Sequence, residues 1–189
     1  MPLYAIKEVG SLGMTRLEEL LILILDRAHK EGKANLSRFE IFKIVYLLQV
    51  YALKYAGTNL LQNTTFIRDK NGPISGEIYK TMDNLVARGY IKMDVKENKD
   101  YGHPRHCFTL VKKLPRLSFG QGELIFIDGF LSELLPLNQA QLKSKAYATE
   151  PMKAITSEEK RGKIKKGKVI NFASVSVDAD VVDAYSDAV

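Results

Sequence analysis

The sequence predicts a mainly helical α+β domain with a β-hairpin like that of a winged helix and an extended C-terminal tail. Three observations lead to this prediction. Apolar residues recur at helical spacing through most of residues 14–155. Within that range, residues 90–111 alternate as two paired strands should. Residues 156–189 lose the helical period and carry a basic run followed by an acidic one, so we separate them as a tail, and residues 1–13 as an N-terminal segment.

The first two predicted helices each begin at a capping box. Thr15-Arg-Leu-Glu18 and Ser37-Arg-Phe-Glu40 place a hydroxyl three residues ahead of a carboxylate, so each side chain can bond the other residue's backbone amide. The second helix is apolar on most of its faces between Phe39 and Tyr51, and we expect it to be the central, most buried helix. Gly57 is expected to end it in a left-handed conformation.

A third helix is predicted after the loop signal Gly72-Pro73, with Ser75 as its cap and Gly89 as its stop. The hairpin follows, formed by the segments Tyr90 to Val95 and Arg105 to Leu110. Two helices and then a hairpin is the order of a winged helix, a class that serves mostly in binding. Further helices are predicted over residues 118–135 and 138–147.

The charge of the chain is concentrated in the tail. The net charge is +6, and six basic residues lie within nine positions: Lys160, Arg161, Lys163, Lys165, Lys166 and Lys168. Subtracting these six from the 28 lysines and arginines leaves 22, which equals the 22 acidic residues. Such a run is commonly a solvated linker, and it can also grip an acidic partner. Because the body is close to neutral, nucleic acid is a weaker candidate than an acidic protein face.

No residue pattern specifies a reaction, so we expect neither an enzyme nor a cofactor. His103, His106 and Cys107 have metal-ligand atoms, but neighbouring residues on a strand point to opposite faces, and a structural zinc site takes four ligands. We therefore interpret this segment as a hairpin tip with one buried thiol. Phosphate-binding loops, dinucleotide fingerprints and zinc-protease motifs do not occur in the sequence.

Cysteine usage and hydropathy indicate a cytoplasmic protein. Cys107 is the only cysteine, so an internal disulfide cannot form. No apolar stretch approaches the roughly 20 residues that cross a bilayer, which predicts no membrane association. The first residues, Met1 to Glu8, lack the apolar region of a signal peptide.

Several short segments, in order, resemble the signature of the Panacea domain, the SocA-like antitoxin family. They are Lys43-Ile-Val-Tyr46-Leu-Leu, Phe66, Gly72-Pro73, Glu77-Ile-Tyr79 and Ala148-Thr-Glu-Pro-Met-Lys153. The resemblance covers roughly residues 14–155. It implies a mostly helical domain from a bacterial or phage toxin–antitoxin pair, which neutralises a cognate protein toxin by binding it. It also implies a shared centre made of Lys43, Tyr46, Phe66, Gly72, Pro73 and Tyr79.

We expect this centre to determine the fold rather than to contact a toxin. Tyr46 and Tyr79 should bury their rings and place their hydroxyls on backbone carbonyls, and Gly72-Pro73 should set the entry to the third helix. The chain has no tryptophan, which typical members carry in the closing segment. Because the tail lies outside the resemblance, its basic residues are the predicted partner-binding residues.

Two further functions are consistent with the sequence. The first is a winged-helix DNA-binding regulator that uses the exposed positions of the third helix: Glu77, Lys80, Thr81, Asn84 and Arg88. The acidic residue Asp83 lowers the positive charge of that face. The second is a proteolytic adaptor that presents its partner to a protease and whose C-terminal Asp187-Ala-Val189 is read as a tag.

Overall fold

A computed structural model describes residues 13–97, 102–113, 115–159 and 163–178, and it is mainly helical with two small antiparallel sheets. The helices are α1 (Arg16–Lys30), α2 (Arg38–Ala56), α3 (Gly76–Ala87), α4 (Gln121–Leu134), α5 (Gln139–Tyr147) and α6 (Glu150–Ser157). The strands are β1 (Leu36–Ser37), β2 (Ile67–Asp69), β3 (Gly72–Ile74), β4 (Ile91–Lys96) and β5 (Arg105–Leu110). The predicted mixed, mainly helical class is confirmed.

Both predicted capping boxes are present. The Thr15 hydroxyl accepts a hydrogen bond from the Glu18 amide, while the Glu18 carboxylate accepts one from the Thr15 amide at 2.7 Å. The Ser37 and Glu40 pair repeats this arrangement at the start of α2. Each box satisfies amides that the first turn of a helix leaves without a partner, so it fixes where the helix begins.

Helix α2 is the central helix, as predicted. Twelve of the nineteen residues of α2 are buried, against ten of the fifteen of α1, so the expectation that α2 is the most buried helix was wrong by fraction. Gly57 ends α2 with a φ of 60°. Leu20, Leu21 and Ile24 of α1 belong to the same apolar core as the buried residues of α2. An apolar helix in this position needs neighbours on nearly every side, which the remaining elements supply.

The predicted hairpin is formed by β4 and β5, with Ile91 opposite Leu110 and Lys96 opposite Arg105. The short strand β1, which was not predicted, pairs with the other edge of β5 and gives the order β1-β5-β4. Cys107 and Phe108, neighbours on opposite faces of β5, are both buried, and the other four residues of the strand are partly buried. Residues 98–101 of the predicted turn lie outside the described residues.

A second hairpin, β2–β3, replaces the predicted loop before α3. Gly72 and Pro73 are its returning strand, with Pro73 opposite Arg68. Proline lacks an amide and is tolerated at a sheet edge, which is where a two-stranded ribbon places it. Ser75 precedes α3, but it makes no side-chain cap; its hydroxyl donates instead to the Glu77 carboxylate at 2.8 Å.

The remaining helices pack around α2. Helix α4 begins at Gln121, three residues later than predicted, because the Glu123 carboxylate accepts a hydrogen bond from the amide of the cap residue Gly120. Helix α5 begins at the predicted cap Asn138. Helix α6 extends to Ser157, past the expected end of the helical domain at residue 155. None of the described helices is both long enough and apolar enough to span a membrane.

The described part of the tail, residues 163–178, packs on the helical domain. Val169 forms a bridge with Ile67, Ile170 is buried, and the amide of Asp178 donates to the carbonyl of Lys54 at the end of α2. Residues 1–12 of the N-terminal segment, Lys160 and Arg161, and residues 179–189 with the terminal tag lie outside the described residues.

Candidate functional site

Three buried polar side chains form a stripe along one face of α2. Lys43, Tyr46 and Gln49 recur at three-residue spacing, which places them on neighbouring turns of one helix face. Each bonds a different element of the fold. Gln49 bonds the Asn59 side chain at 2.7 Å and the Leu61 amide at 2.9 Å, which positions the loop after α2.

Lys43 is buried against the β2–β3 hairpin. Its Nζ donates to the carbonyl oxygen of Pro73 at 2.9 Å and lies 4.6 Å from the centre of the Phe39 ring. Burial lowers the pKa of Lys43 to about 7, and Asp69 opposes part of that shift. The amine therefore serves as an anchor for β3 that is close to losing its charge at neutral pH.

Gly72 is required by the close approach of two side chains. Its φ is +98°, a conformation that residues with a Cβ rarely adopt. A Cβ on Gly72 would lie 3.0 Å from Cε2 of Tyr147 and 3.3 Å from Cε of Lys43. The glycine thus lets the hairpin reach the Lys43 amine, which explains its place beside Pro73.

Tyr46 and Phe66 form an aromatic cluster with Phe172 of the tail. The Tyr46 ring lies 5.4 Å from Phe66 and 5.9 Å from Phe172. The expected burial of Tyr46 is present, but its hydroxyl bonds the Thr149 hydroxyl at 2.7 Å rather than a backbone carbonyl. Thr149 in turn donates to the carbonyl of Ala146 at 2.7 Å, so Tyr46 is the donor of the first bond. Burial raises the pKa of Tyr46.

Tyr79 lies apart from the other members of the predicted centre. Its half-buried ring packs 4.7 Å from Phe42, and the Arg38 guanidinium lies 4.9 Å above it. Among the described residues its hydroxyl has no hydrogen bond to a backbone carbonyl, so that expectation was wrong. The structure brings Lys43, Gly72 and Pro73 together, and Tyr46 with Phe66.

Arg68 is a buried residue with several hydrogen bonds that no sequence pattern indicated. Its guanidinium is almost fully buried and forms two hydrogen bonds to the Glu159 carboxylate, at 2.8 and 3.0 Å. It also donates to the Tyr147 hydroxyl at 2.7 Å and to the Asp69 carbonyl. The hydrogen bonds from the Arg68 guanidinium to the carboxylate lower the pKa of Glu159. A buried arginine needs this degree of pairing because its charge cannot be given up.

Arg68 also holds residues 163–168, which we call the basic strap. The Arg68 amide donates to the Lys168 carbonyl at 2.8 Å, and the Gly167 amide donates to the Arg68 carbonyl at 2.7 Å. The strap is therefore paired to β2 by its backbone, while all its side chains remain exposed. The prediction of a solvated segment holds for the side chains only.

The lysines of the strap are partly neutralised within the protein. Lys165 and Lys168 both lie 2.5 Å from the exposed Glu158 carboxylate, whose pKa their hydrogen bonds lower to about 2. Lys166 lies 3.5 Å from Asp69 and is 75% exposed. Three of the four lysines of the strap thus share two carboxylates, and the strap keeps a positive surface.

The arrangement of the centre and the strap suits anchoring and binding. Among residues 13–97, 102–113, 115–159 and 163–178, no three histidine, cysteine or acidic side chains are grouped as metal ligands. A cleft of about 330 Å³ at the start of α1 contains none of the residues of the centre or the strap. It is lined by Thr15, Arg16, Leu17, Leu61, Gln62, Asn63, Thr64, Glu77 and Thr81.

Comparisons with protein-family models, with curated proteins and with solved structures gave no match to this chain.

The lowered pKa of Lys43 predicts a pH-dependent effect of the substitution Lys43→Met. Between about pH 7 and 10.5, the unfolded chain holds a proton that native Lys43 has lost, so wild-type stability rises with pH. The free energy of unfolding of the wild type rises by at most about 1.4 kcal/mol per pH unit from this group. Below pH 7 the cost of burying the charge is present in full. We expect the free energy of unfolding of Lys43→Met relative to wild type to fall as the pH is raised through this window.

Urea unfolding at pH 7, 8.5 and 10 measures this difference, and comparison with wild type cancels the titration of all other groups. The exposed Lys80→Met is the control, for which the difference should not depend on pH. A pH-independent difference for Lys43→Met would show that the amine keeps an ordinary pKa.

Adjacent glutamates allow a matched test of the Arg68 anchor. Glu159→Ala leaves the buried guanidinium without its carboxylate, and we expect a loss of about 2–3 kcal/mol in the free energy of unfolding. Glu158→Ala removes an exposed carboxylate one residue away, which pairs only with exposed lysines, and should cost much less stability than Glu159→Ala. Trypsin should also cleave the strap faster in Glu159→Ala than in either Glu158→Ala or the wild type. Equal effects of the two substitutions would contradict the anchoring role.

Proposed function

We propose that this chain is an antitoxin-type protein, which neutralises a cognate protein toxin by direct binding. The basic strap is the proposed contact surface, together with Lys160 and Arg161 of the same basic run. The centre formed by Lys43, Gly72 and Pro73 is proposed to support the fold beneath it.

The observation that carries this proposal is the way in which the strap is held. Backbone bonds to Arg68 and the Arg68–Glu159 pair fix a run of lysines in place, yet leave the side chains exposed. A segment ordered before binding loses less conformational entropy when a partner arrives. A solvated linker would not need a buried arginine to hold it.

Charge supports a partner with an acidic face. The body of the chain is close to neutral, whereas the strap has more lysines than nearby carboxylates. Complementary charge accelerates encounter and fixes the orientation of the bound partner. The resemblance of the centre to the Panacea family supports a toxin as that partner, in a prokaryotic cytoplasm.

The finer classification of the body as a winged helix is also a proposal. Its support is the order of α1, β1, α2, α3 and the β4–β5 hairpin, with the β2–β3 hairpin inserted between α2 and α3 and with β1 completing a three-stranded sheet. This order favours DNA binding through α3 as a second candidate function. The exposed face of α3 argues for the first candidate, because Lys80 is flanked by acidic residues and Arg88 is engaged by Glu18 at 2.6 Å.

Co-expression tests the antitoxin proposal. The product of the neighbouring open reading frame is expressed with this chain in cells that the product alone poisons. We expect growth to be rescued and the two proteins to co-purify. Rescue without a complex would favour repression or the adaptor alternative, in which a protease removes the partner. A neighbouring gene product that is not toxic and forms no complex with this chain would contradict the proposal.

Charge reversal tests the strap as the contact surface. Replacing Lys163, Lys165 and Lys166 by glutamate should weaken partner binding at low salt by about tenfold or more, because an attractive face becomes repulsive. Isothermal titration with the co-purified partner gives the affinity. The control replaces exposed Lys80, Lys145 and Lys153, on three different helices, with the same change in net charge. If both variants lose affinity equally, the loss comes from the change in net charge, and the strap is not the contact surface.

DNA binding is tested with a gel shift on the upstream region of the operon. Under the antitoxin proposal we expect no retardation at low salt, since the exposed face of α3 carries both signs of charge. Retardation that weakens steeply with salt, and is lost in Lys80→Glu, would favour the regulator.

A further inference from the structure

The outer edge of β4 is unpaired in the described structure. In the order β1-β5-β4, strand β4 is the last member, and none of the described backbone hydrogen bonds joins it to anything but β5. It is six residues long, whereas proteins usually keep their edge strands short or covered. An edge of this length is suited to accept another strand.

The edge carries apolar side chains that the core does not cover. Alternation places Ile91, Met93 and Val95 on one face of β4, and only Ile91 is buried. Met93 is 37% exposed and Val95 is 59% exposed. The Met93 sulfur lies 3.9 Å from a guanidinium nitrogen of Arg38 at the start of α2, so the side chain is only partly covered.

The pairing with β5 shows which backbone groups of β4 face outward. The Val111 amide donates to the Tyr90 carbonyl, so Tyr90 faces β5, and every second residue after it does the same. The amides and carbonyls of Ile91, Met93 and Val95 therefore point to the free edge. Any added strand must bond these three residues.

We propose that β4 pairs antiparallel with β4 of a second copy of this chain, about a two-fold axis through Met93. In this register Ile91 lies opposite Val95 of the other copy and Met93 lies opposite its counterpart. The outward-facing groups of both strands then bond each other. A two-fold interface uses the same surface on both copies, so a single edge is sufficient.

Charge selects this register over its neighbours. Pairing about Met93 sets Lys92 opposite Asp94 twice, in the closely spaced positions of an antiparallel ladder. A shift of two residues in one direction sets Lys92 against Lys92. The opposite shift sets Asp94 against Asp94 and Lys92 against Lys96. Within each copy Lys92 already lies 2.8 Å from Asp94, so pairing about Met93 closes a ring of four alternating charges.

The pairing also covers the exposed apolar groups. Met93 and Val95 of one copy would lie against Met93 and Ile91 of the other on the same face of the joined sheet. Removing this area from water favours association. The net charge of +6 on each copy opposes it, so the association should be measured near 0.15 M salt, where the repulsion is screened.

Cysteine substitution tests the position of the axis. Directly opposed residues in a bonded pair have Cα atoms about 5.5 Å apart, within the range that a disulfide spans. Under mild oxidation Met93→Cys should give a covalent dimer. Val95→Cys should not, because its counterpart lies roughly 13 Å away along the strand. Wild-type protein, whose only cysteine is buried, is the control. A monomeric Met93→Cys, or equal cross-linking of both variants, would overturn the proposal.

Charge reversal tests the register independently, without a covalent bond. Sedimentation equilibrium should show a concentration-dependent dimer for wild type, and Asp94→Lys should raise its dissociation constant by about tenfold. The double variant Lys92→Asp/Asp94→Lys restores opposite charges and should return the constant to the wild-type range. A wild type that remains monomeric at its highest soluble concentration, or a double variant no better than the single one, would overturn the pairing.

Discussion

The rest of the structure depends on the burial of α2 together with its polar stripe. A helix buried on most of its faces must satisfy every polar side chain that it carries into the core. Lys43 finds the Pro73 carbonyl, Tyr46 finds the Thr149 hydroxyl, and Gln49 finds the loop after the helix. These bonds determine where the β2–β3 hairpin, the α5–α6 junction and that loop must lie. The stripe therefore organises elements that are distant in sequence around one helix.

Arg68 adds a second constraint at the edge of this assembly. Its charge is buried and must be matched, and the matching carboxylate lies 91 residues further along the chain, just after α6. Tyr147, which contacts both Gly72 and Arg68, connects this ion pair with the Lys43 anchor. The strap is thus held by the same contacts that support the core. For a protein proposed to act by binding, this link makes the contact surface depend on the integrity of the fold.

Local features of the structure were predictable where a few neighbouring residues decide the outcome. The capping boxes at Thr15 and Ser37 and the stop at Gly57 involve contacts within one or two helical turns, and all were confirmed. Ser75 shows the limit of this reasoning. It precedes a helix as a cap should, but its hydroxyl donates a hydrogen bond to the Glu77 carboxylate, and no side-chain cap forms. Strand β1 has two residues and no pattern of its own, and it exists because β5 offers a free edge.

The sequence by itself determined the mainly helical class, the central position of the apolar helix, the β4–β5 hairpin and the concentration of charge in the tail. These properties follow from periodicity, capping and composition, which operate over short distances along the chain. Only the tertiary structure decided that Arg68 is buried, that Glu159 is its partner, and that the strap pairs with β2. The reason is that a buried charge is recognised by its environment, and the groups around Arg68 come from three separate segments of the chain.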